Sequence, residues 1–119
     1  MSLAEVGDLL KAHGCHASVV YAADSSVETF RQQGVQALSH ADSSSAIIVN
    51  YDMDTLGQGV VCGHHSPLAG YHAHTDRFLL MDVWPDTSPC WATVTSLYAA
   101  MNTVDSDTGK TRGYCIAQF

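Results

Sequence analysis

An apolar run between Arg77 and Trp84 limits most strongly the folds open to this chain. The segment reads RFLLMDVW, and Asp82 is its one acidic residue. A nearly continuous apolar run of this kind is typical of a central strand that is buried on both faces. The chain is therefore expected to build its fold around a sheet, with one carboxylate near the end of a buried strand.

The patterns on either side of this run predict three helices and an antiparallel sheet. Apolar residues recur at helical spacing from Leu3 to Leu10, ahead of a stop signal at Gly14. Ser25–Glu28 reads as a capping box for a second helix that continues to Leu38, and Val94–Met101 is amphipathic. The predicted strands are residues 17–22, 46–51, 58–62 with a continuation over 70–74, 77–84 and 113–119. The fold class is α+β, with two N-terminal helices and one late helix.

Length, charge and cysteine usage narrow the function classes. The 119 residues fit a single domain, 1–119. A net charge of -7 with only five lysines and arginines argues against a nucleic-acid partner or an anionic membrane surface. The apolar stretches fall short of the roughly 20 residues that span a bilayer, and the polar start predicts no secretory signal. Four cysteines without a secreted disulfide spacing favour a reducing, cytoplasmic setting.

His64 and Asp82 are the residues whose pattern indicates catalysis. His64 stands between a β-run and Ser66-Pro67, and Pro67 is expected to interrupt the ladder and leave the histidine accessible. Asp82 must be paired or hydrogen-bonded to stay ionised in an apolar strand, and an imidazole N–H is a natural partner. The other ring nitrogen could then take a proton from a nucleophile. The alternative is a turn histidine and a carboxylate that caps a strand end.

A cluster of histidines allows a metal site as a second interpretation. Cys62, His72 and His74 are the predicted ligands, because His72-x-His74 and Cys62-x-His64 each project two side chains to one face of a strand. Solvated histidines beside a hairpin turn at Thr75-Asp76 are the alternative, since no closed four-ligand spacing is present.

Four segments of the chain resemble the phytochelatin synthases. Residues 63–71 (GHHSPLAGY) resemble that family's GHFSPIGGY, and residues 76–83 resemble its RDMALILDVA strand. Asp82 follows His64 by eighteen positions, as in the family. Residues 91–114 resemble the PHWVPL…LWEAMDTID…TGKRRGYM ending, and Ser25–Arg31 resembles STIDDFR.

The resemblance implies a papain-like half-domain and a Cys-His-Asp triad. By the resemblance, His64 of this chain is the general base and acid of the triad, and Asp82 is the residue that orients the imidazole. The implied reaction is γ-glutamylcysteine dipeptidyl transfer from glutathione. A thiolate attacks the Cys–Gly bond, glycine leaves, and the acyl group passes to a second glutathione, a longer oligomer or water. The chemistry requires no cofactor, and a cadmium or zinc thiolate of glutathione is an expected form of the substrate.

The family's nucleophilic cysteine lies upstream of its histidine motif, and no cysteine of this chain stands in that motif. The four cysteines are Cys15, Cys62, Cys90 and Cys115. In a regular strand Cys62 and His64 are expected on one face, with their Cβ atoms too far apart for a good hydrogen bond. The nucleophile is therefore expected from a Cys-bearing half, in a longer parent chain or a partner chain. Residues 84–88 also replace the basic and aromatic residues that follow the family's aspartate.

Two non-enzymatic interpretations stand beside the transferase. One is a binding module that takes thiols or metal ions through the histidine cluster. The other is a half-fold whose apolar face favours a homodimer.

Overall fold

Three helices and a six-stranded antiparallel sheet make up the computed structural model, which describes residues 1–39, 44–58, 63–82 and 88–119. The helices are α1 (Leu3–Ala12), α2 (Val27–Leu38) and α3 (Val94–Met101). The strands are β1 (His16–Tyr21), β2 (Ser45–Asp52), β3 (Gly63–His72), β4 (Arg77–Leu80), β5 (Cys90–Thr93) and β6 (Gly113–Gln118), in the order β1-β6-β2-β3-β4-β5. The α+β prediction is confirmed.

Short polar side chains cap the N-termini of all three helices, with Thr93 as the cap of α3. Ser2 and Glu5 form a reciprocal capping box at α1, with bonds of 3.1 and 3.2 Å. At α2 the cap is Ser26, whose Oγ accepts from the backbone N–H of Thr29 at 3.2 Å. The predicted capping box, which starts at Ser25, is wrong by one position, because the Ser25 hydroxyl bonds instead to the phenol of Tyr114 at 3.0 Å.

The main core lies between the sheet and helices α2 and α3. Phe30 of α2 is fully buried, with its ring 5.3 Å from that of Phe78 and 5.0 Å from that of Tyr114. A Cβ at Gly34 would come 2.5 Å from the Phe78 ring, so this glycine lets α2 lie close to β4. Helix α1 instead contacts β1 and β6 on the opposite face.

The apolar run that begins at Arg77 is shorter and less central than predicted. Strand β4 ends at Leu80 and lies next to the last strand of the sheet, β5. Phe78 is fully buried, but Arg77 and Met81 are exposed and Leu79 is only half-buried. The prediction of a strand buried on both faces is therefore wrong, because Phe78 packs against α2 on one face of β4, whereas Arg77 and Leu79 on the other face are not buried.

Other differences concern strand ends. Strand β5, which has only four residues, was not predicted. Gln58 lies in a bend rather than a strand, and residues 59–62, 83 and 84 of the predicted strands fall outside the described residues. Strand β3 ends at His72, and residues 73–76 form the turn that was predicted around Thr75-Asp76.

Asp76 anchors this turn. It has a positive φ of 52°, which aspartate tolerates better than most residues. Its carboxylate accepts two bonds from the Arg31 guanidinium, at 2.8 and 2.7 Å, and one from the Tyr71 hydroxyl at 2.7 Å. Its carbonyl accepts from the N–H of Val94 at 3.0 Å, so one residue joins the turn to both α2 and α3.

Candidate functional site

His64 and Asp82 meet at the open end of the β3–β4 hairpin. His64 is the second residue of β3, and Asp82 follows β4 by two residues. The imidazole Nε2 donates to the Asp82 Oδ1 at 2.8 Å, and the two side chains are only 12% and 2% exposed. A buried carboxylate needs such a partner, as the sequence indicated. Because Nε2 is the donor, the neutral ring carries its hydrogen on Nε2 and not on Nδ1.

Pro67 does not interrupt the ladder as expected. It lies within β3 opposite Ile48, and its carbonyl accepts from the Met81 N–H at 3.0 Å. The irregularity lies one residue further on, where a bulge shifts the β3–β4 register between Leu68 and Gly70. A bulge moves the residues beyond it to the other face of the strand. His64 therefore faces the α2–α3 side of the sheet, and the exposed His72 faces away from it.

Tyr51 forms the wall behind the imidazole. It pairs with His64 across β2 and β3, and the two rings meet edge-on at 5.9 Å and 80°. Its hydroxyl lies 3.2 Å from the Ser66 hydroxyl. Burial, with a smaller contribution from the charge of Asp82, raises the pKa of Tyr51 to about 12. The phenol stays protonated and acts as packing. Tyr51 was not predicted as a site residue, because only the strand register reveals that it lies opposite His64.

A cleft of about 280 Å³ opens beside His64. Its lining combines one guanidinium with carboxylates and polar groups; it includes Asn50, Gly63, His65, Asp105, Asp107 and Arg112. Arg112 donates to the hydroxyl of Thr103 and the carbonyl of Val104, each at 3.0 Å. A Cβ at Gly63 would come 2.9 Å from the guanidinium, so glycine gives it room. The mixture of charges suits a zwitterionic ligand, and it was not predicted from the residues.

His65 is the second imidazole of this cleft. Its Nε2 is buried and has no hydrogen-bond partner among the atoms of the described residues. Burial lowers the pKa of His65, so the ring is neutral at pH 7. The unprotonated nitrogen of a neutral ring can accept a hydrogen bond.

Each of the three described cysteines either lies far from His64 or carries a thiol whose pKa is raised. Cys115 is fully buried on the face of the sheet that α1 covers, and burial raises its pKa. Burial and the charge of Asp82 both raise the pKa of Cys90, which opposes thiolate formation. Cys15 precedes β1, about 14 Å from β3 by strand spacing alone. Cys62 lies outside the described residues.

The predicted metal ligands stay a prediction. The rings of His72 and His74 lie 6.3 Å apart, and His72 Nδ1 bonds to the Thr75 hydroxyl at 2.8 Å. Among the described residues, no three His, Cys, Asp or Glu side chains come together as a metal site. The third predicted ligand, Cys62, is not among them.

In the part of the chain that the structure describes, no helix is both long and apolar enough to cross a membrane.

An α+β domain with a buried His–Asp pair at a polar cleft belongs to the class of proteins that can carry part of a nucleophilic triad. The sequence profile of the phytochelatin synthase family matches residues 1–114, and the chain belongs to that family. It is 36% identical over 120 residues to glutathione gamma-glutamylcysteinyltransferase 3 of Lotus japonicus, a match that covers 98% of this chain and 24% of the relative.

Two further relatives also match most of this chain over only a small part of their own length. Glutathione gamma-glutamylcysteinyltransferase 1 of Lotus japonicus is 36% identical over 107 residues, covering 87% of this chain and 20% of the relative. Glutathione gamma-glutamylcysteinyltransferase of Schizosaccharomyces pombe is 26% identical over 119 residues, covering 99% of this chain and 28% of the relative. The chain thus spans about a quarter of the length of these relatives.

Proposed function

We propose that this chain supplies the histidine and aspartate of a Cys-His-Asp triad that transfers γ-glutamylcysteine from glutathione. The observation that carries the proposal is the 2.8 Å bond between two nearly buried side chains, His64 and Asp82, beside an accessible cleft. Family membership supports the same chemistry, since its named relatives are gamma-glutamylcysteinyltransferases.

The bond to Asp82 supports a separate role for each ring nitrogen of His64. Asp82 engages Nε2, so the proton of the nucleophile is exchanged at Nδ1. The thiolate attacks the carbonyl carbon of the Cys–Gly bond, His64 returns the proton to the leaving amine, and glycine departs. An acceptor amine then attacks the thioester, the C–S bond breaks, and the proton of the amine passes through His64 to the sulfur. With water as the acceptor the result is deglycination.

The nucleophilic thiol comes from a cysteine other than Cys15, Cys90 and Cys115. Those three are distant from His64, or their pKa values are raised by burial. A Cys-bearing segment of a longer parent chain or a partner chain fits the relatives' greater length.

The cleft beside His64 is suited to the donor glutathione. Its γ-glutamyl end carries a carboxylate and an ammonium group, and the cleft presents the Arg112 guanidinium and the Asp105 carboxylate. No resident metal is needed for these steps. A zinc or cadmium thiolate of glutathione is part of the proposal as a substrate form.

Glycine release from glutathione tests the proposal. The chain would be assayed alone and mixed with the Cys-bearing segment of the Lotus japonicus relative. We expect release in the mixture, and a loss of about 10²–10⁴-fold for His64→Ala and for Asp82→Asn. His74→Ala, an exposed histidine in the hairpin turn, is the matched control and should keep full activity.

Imidazole ¹⁵N shifts give a readout that needs no activity. His64 should show the Nε2–H tautomer, and Asp82→Asn should disturb it. Release that survives His64→Ala would disprove the triad role. Release by the chain alone that is lost in Cys62→Ser would instead identify Cys62 as the nucleophile and overturn the external source of the thiol.

A further inference from the structure

A recess of about 450 Å³ opens where the end of β1 and the 3₁₀ turn Ala22–Asp24 meet the segment that leads into β6. It is lined by Tyr21, Ala23, Asp24, Val104, Gly109, Lys110 and Thr111. The recess is larger than the cleft beside His64, and no described residue lines both. Its volume lies in the range of about 300–1,000 Å³ that is usual for small-molecule sites.

Backbone bonds hold the walls of this recess together. Val104 and Thr111 pair as an antiparallel bridge, and the N–H of Asp105 donates to the carbonyl of Lys110 at 2.8 Å. The N–H of Ala23 donates to the hydroxyl of Thr111 at 3.1 Å, which ties the wall after β1 to the wall before β6. The shape of the recess therefore rests on the backbone, and not only on the positions of exposed side chains.

Two opposite charges line the recess without neutralising each other. Lys110 and Asp24 are exposed, and neither forms an ion pair within the part of the chain that the structure describes. The ammonium of Lys110 lies 5.1 Å from the centroid of the Tyr21 ring. A cation–π contact of this kind orients an ammonium but leaves its charge. A ligand with both a carboxylate and an ammonium group would find a partner for each.

The recess also presents apolar surface. Val104 is 62% exposed although its backbone is fixed in a bridge, and the Tyr21 ring is half-buried beside it. An inorganic ion would leave this apolar surface in water. Across the described residues, no three His, Cys, Asp or Glu side chains come together as a metal site. The lining therefore favours an organic ligand with an apolar body.

We propose that this recess binds a zwitterionic amino acid with an apolar side chain. The carboxylate of the ligand lies on Lys110, its ammonium group on Asp24, and its side chain against Val104 and Tyr21. Glycine lacks the apolar part and a simple anion lacks the ammonium group, so neither matches the whole lining. The inference does not depend on the proposed function, because it uses no residue of the His64–Asp82 pair or of the cleft beside it.

Amide chemical shifts of the ¹⁵N-labelled 119-residue chain locate such binding. L-leucine would be titrated, and the amides of Ala23, Gly109 and Lys110 would be followed. We expect saturable shifts at these amides, with a midpoint in the millimolar range. N-acetyl-L-leucine and L-leucinamide each lack one of the two charges and should bind about 10-fold more weakly. Glycine should also bind several-fold more weakly, because it buries no apolar side chain.

Substitutions assign each charge of the ligand to a residue. Lys110→Gln and Asp24→Asn should each weaken the binding of L-leucine about 10-fold. Lys110→Gln should also remove the difference between L-leucine and L-leucinamide, because the carboxylate then has no partner. Lys11→Gln and Asp8→Asn are the matched controls on exposed positions of α1, and they should leave the titration unchanged.

Several results would overturn the proposal. They are equal binding of L-leucine and its two blocked derivatives, unchanged binding in both Lys110→Gln and Asp24→Asn, and shifts at Gly63 and His65 in place of the recess amides. Displacement of L-leucine by an equal concentration of glutathione would assign the recess to the tripeptide and would also contradict it. His64→Ala should leave the titration intact, so failure of the triad and failure of this site are told apart.

Discussion

The β3–β4 hairpin has an aspartate near each end, and the two carboxylates have different partners. At the open end Asp82 is 2% exposed and pairs with the imidazole of His64. At the closed end Asp76 is 37% exposed and binds the guanidinium of Arg31 and the phenol of Tyr71. Imidazole is a side chain that commonly serves as general acid and base, whereas a guanidinium does not give up its proton. Only the open end is therefore equipped for proton transfer.

The histidines show the same contrast. His64 is enclosed by Tyr51 and Asp82, whereas His72 is exposed and bonds to Thr75 of its own turn. The bulge after Leu68 places the two rings on opposite faces of the strand. Each end of the β3–β4 hairpin thus has a histidine and an aspartate. The two ends differ in how deeply these side chains are buried and in the partners that they bind.

The largest effect on stability is expected at the closed end, from Asp76→Asn. Asparagine tolerates the positive φ of this position, so the change removes the charge and keeps the turn. Loss of the bidentate pair with Arg31 should cost about 1.5 kcal/mol of unfolding free energy, discounted for solvent screening at this half-exposed site. Urea denaturation at pH 7 measures it, with Glu28→Gln, the other partner of Arg31, as the control for an exposed bond.

The pH dependence of this difference follows from the sign of the shift. The hydrogen bonds from Arg31, and then from Tyr71, lower the pKa of Asp76 below its ordinary value of 3.8. Its contribution to stability is therefore complete above that value and is lost as the pH falls through the lower folded pKa. The two proteins should become equally stable at low pH. A difference in unfolding free energy that persists at low pH would show that the conformation of the turn, and not the charge of Asp76, is responsible.

The parts of the molecule that the sequence predicted are those with a local cause. The helical spacing of Val94, Leu97 and Met101 predicted α3, and the need of a buried Asp82 for a partner predicted its bond to His64. Residues whose importance depends on register could not be predicted. Tyr51 matters because the pairing of β2 with β3 places it opposite His64. Arg112 matters because it directly precedes β6, where its guanidinium lies close to Gly63. The four-residue strand β5 is too short to show a period.

His65→Phe is expected to have a smaller effect, at the open end. The buried Nε2 has no partner among the described atoms, and burial lowers the pKa of His65 below its ordinary 6.5. The unfolded chain therefore takes up a proton first as the pH falls, which removes stability below about pH 6.5. Phenylalanine abolishes this loss, so the variant should be more stable by about 1 kcal/mol at pH 5 and by less at pH 7. Thermal unfolding at the two pH values measures it, and an equal difference at both would refute the titration.

The smallest effects compare two glycines of β3. A Cβ at Gly63 would lie 2.9 Å from the Arg112 guanidinium, whereas one at Gly70 would meet nothing closer than 3.7 Å. Gly63→Ala should shift the flexible end of Arg112, costing about 0.5 kcal/mol of stability and raising the KM for glutathione about threefold. Gly70→Ala should be neutral or slightly stabilising, because alanine restricts the unfolded chain and fits here. Equal KM values for both variants would show that the position of Arg112 does not affect donor binding, and that the open end owes its function to His64 and Asp82 alone.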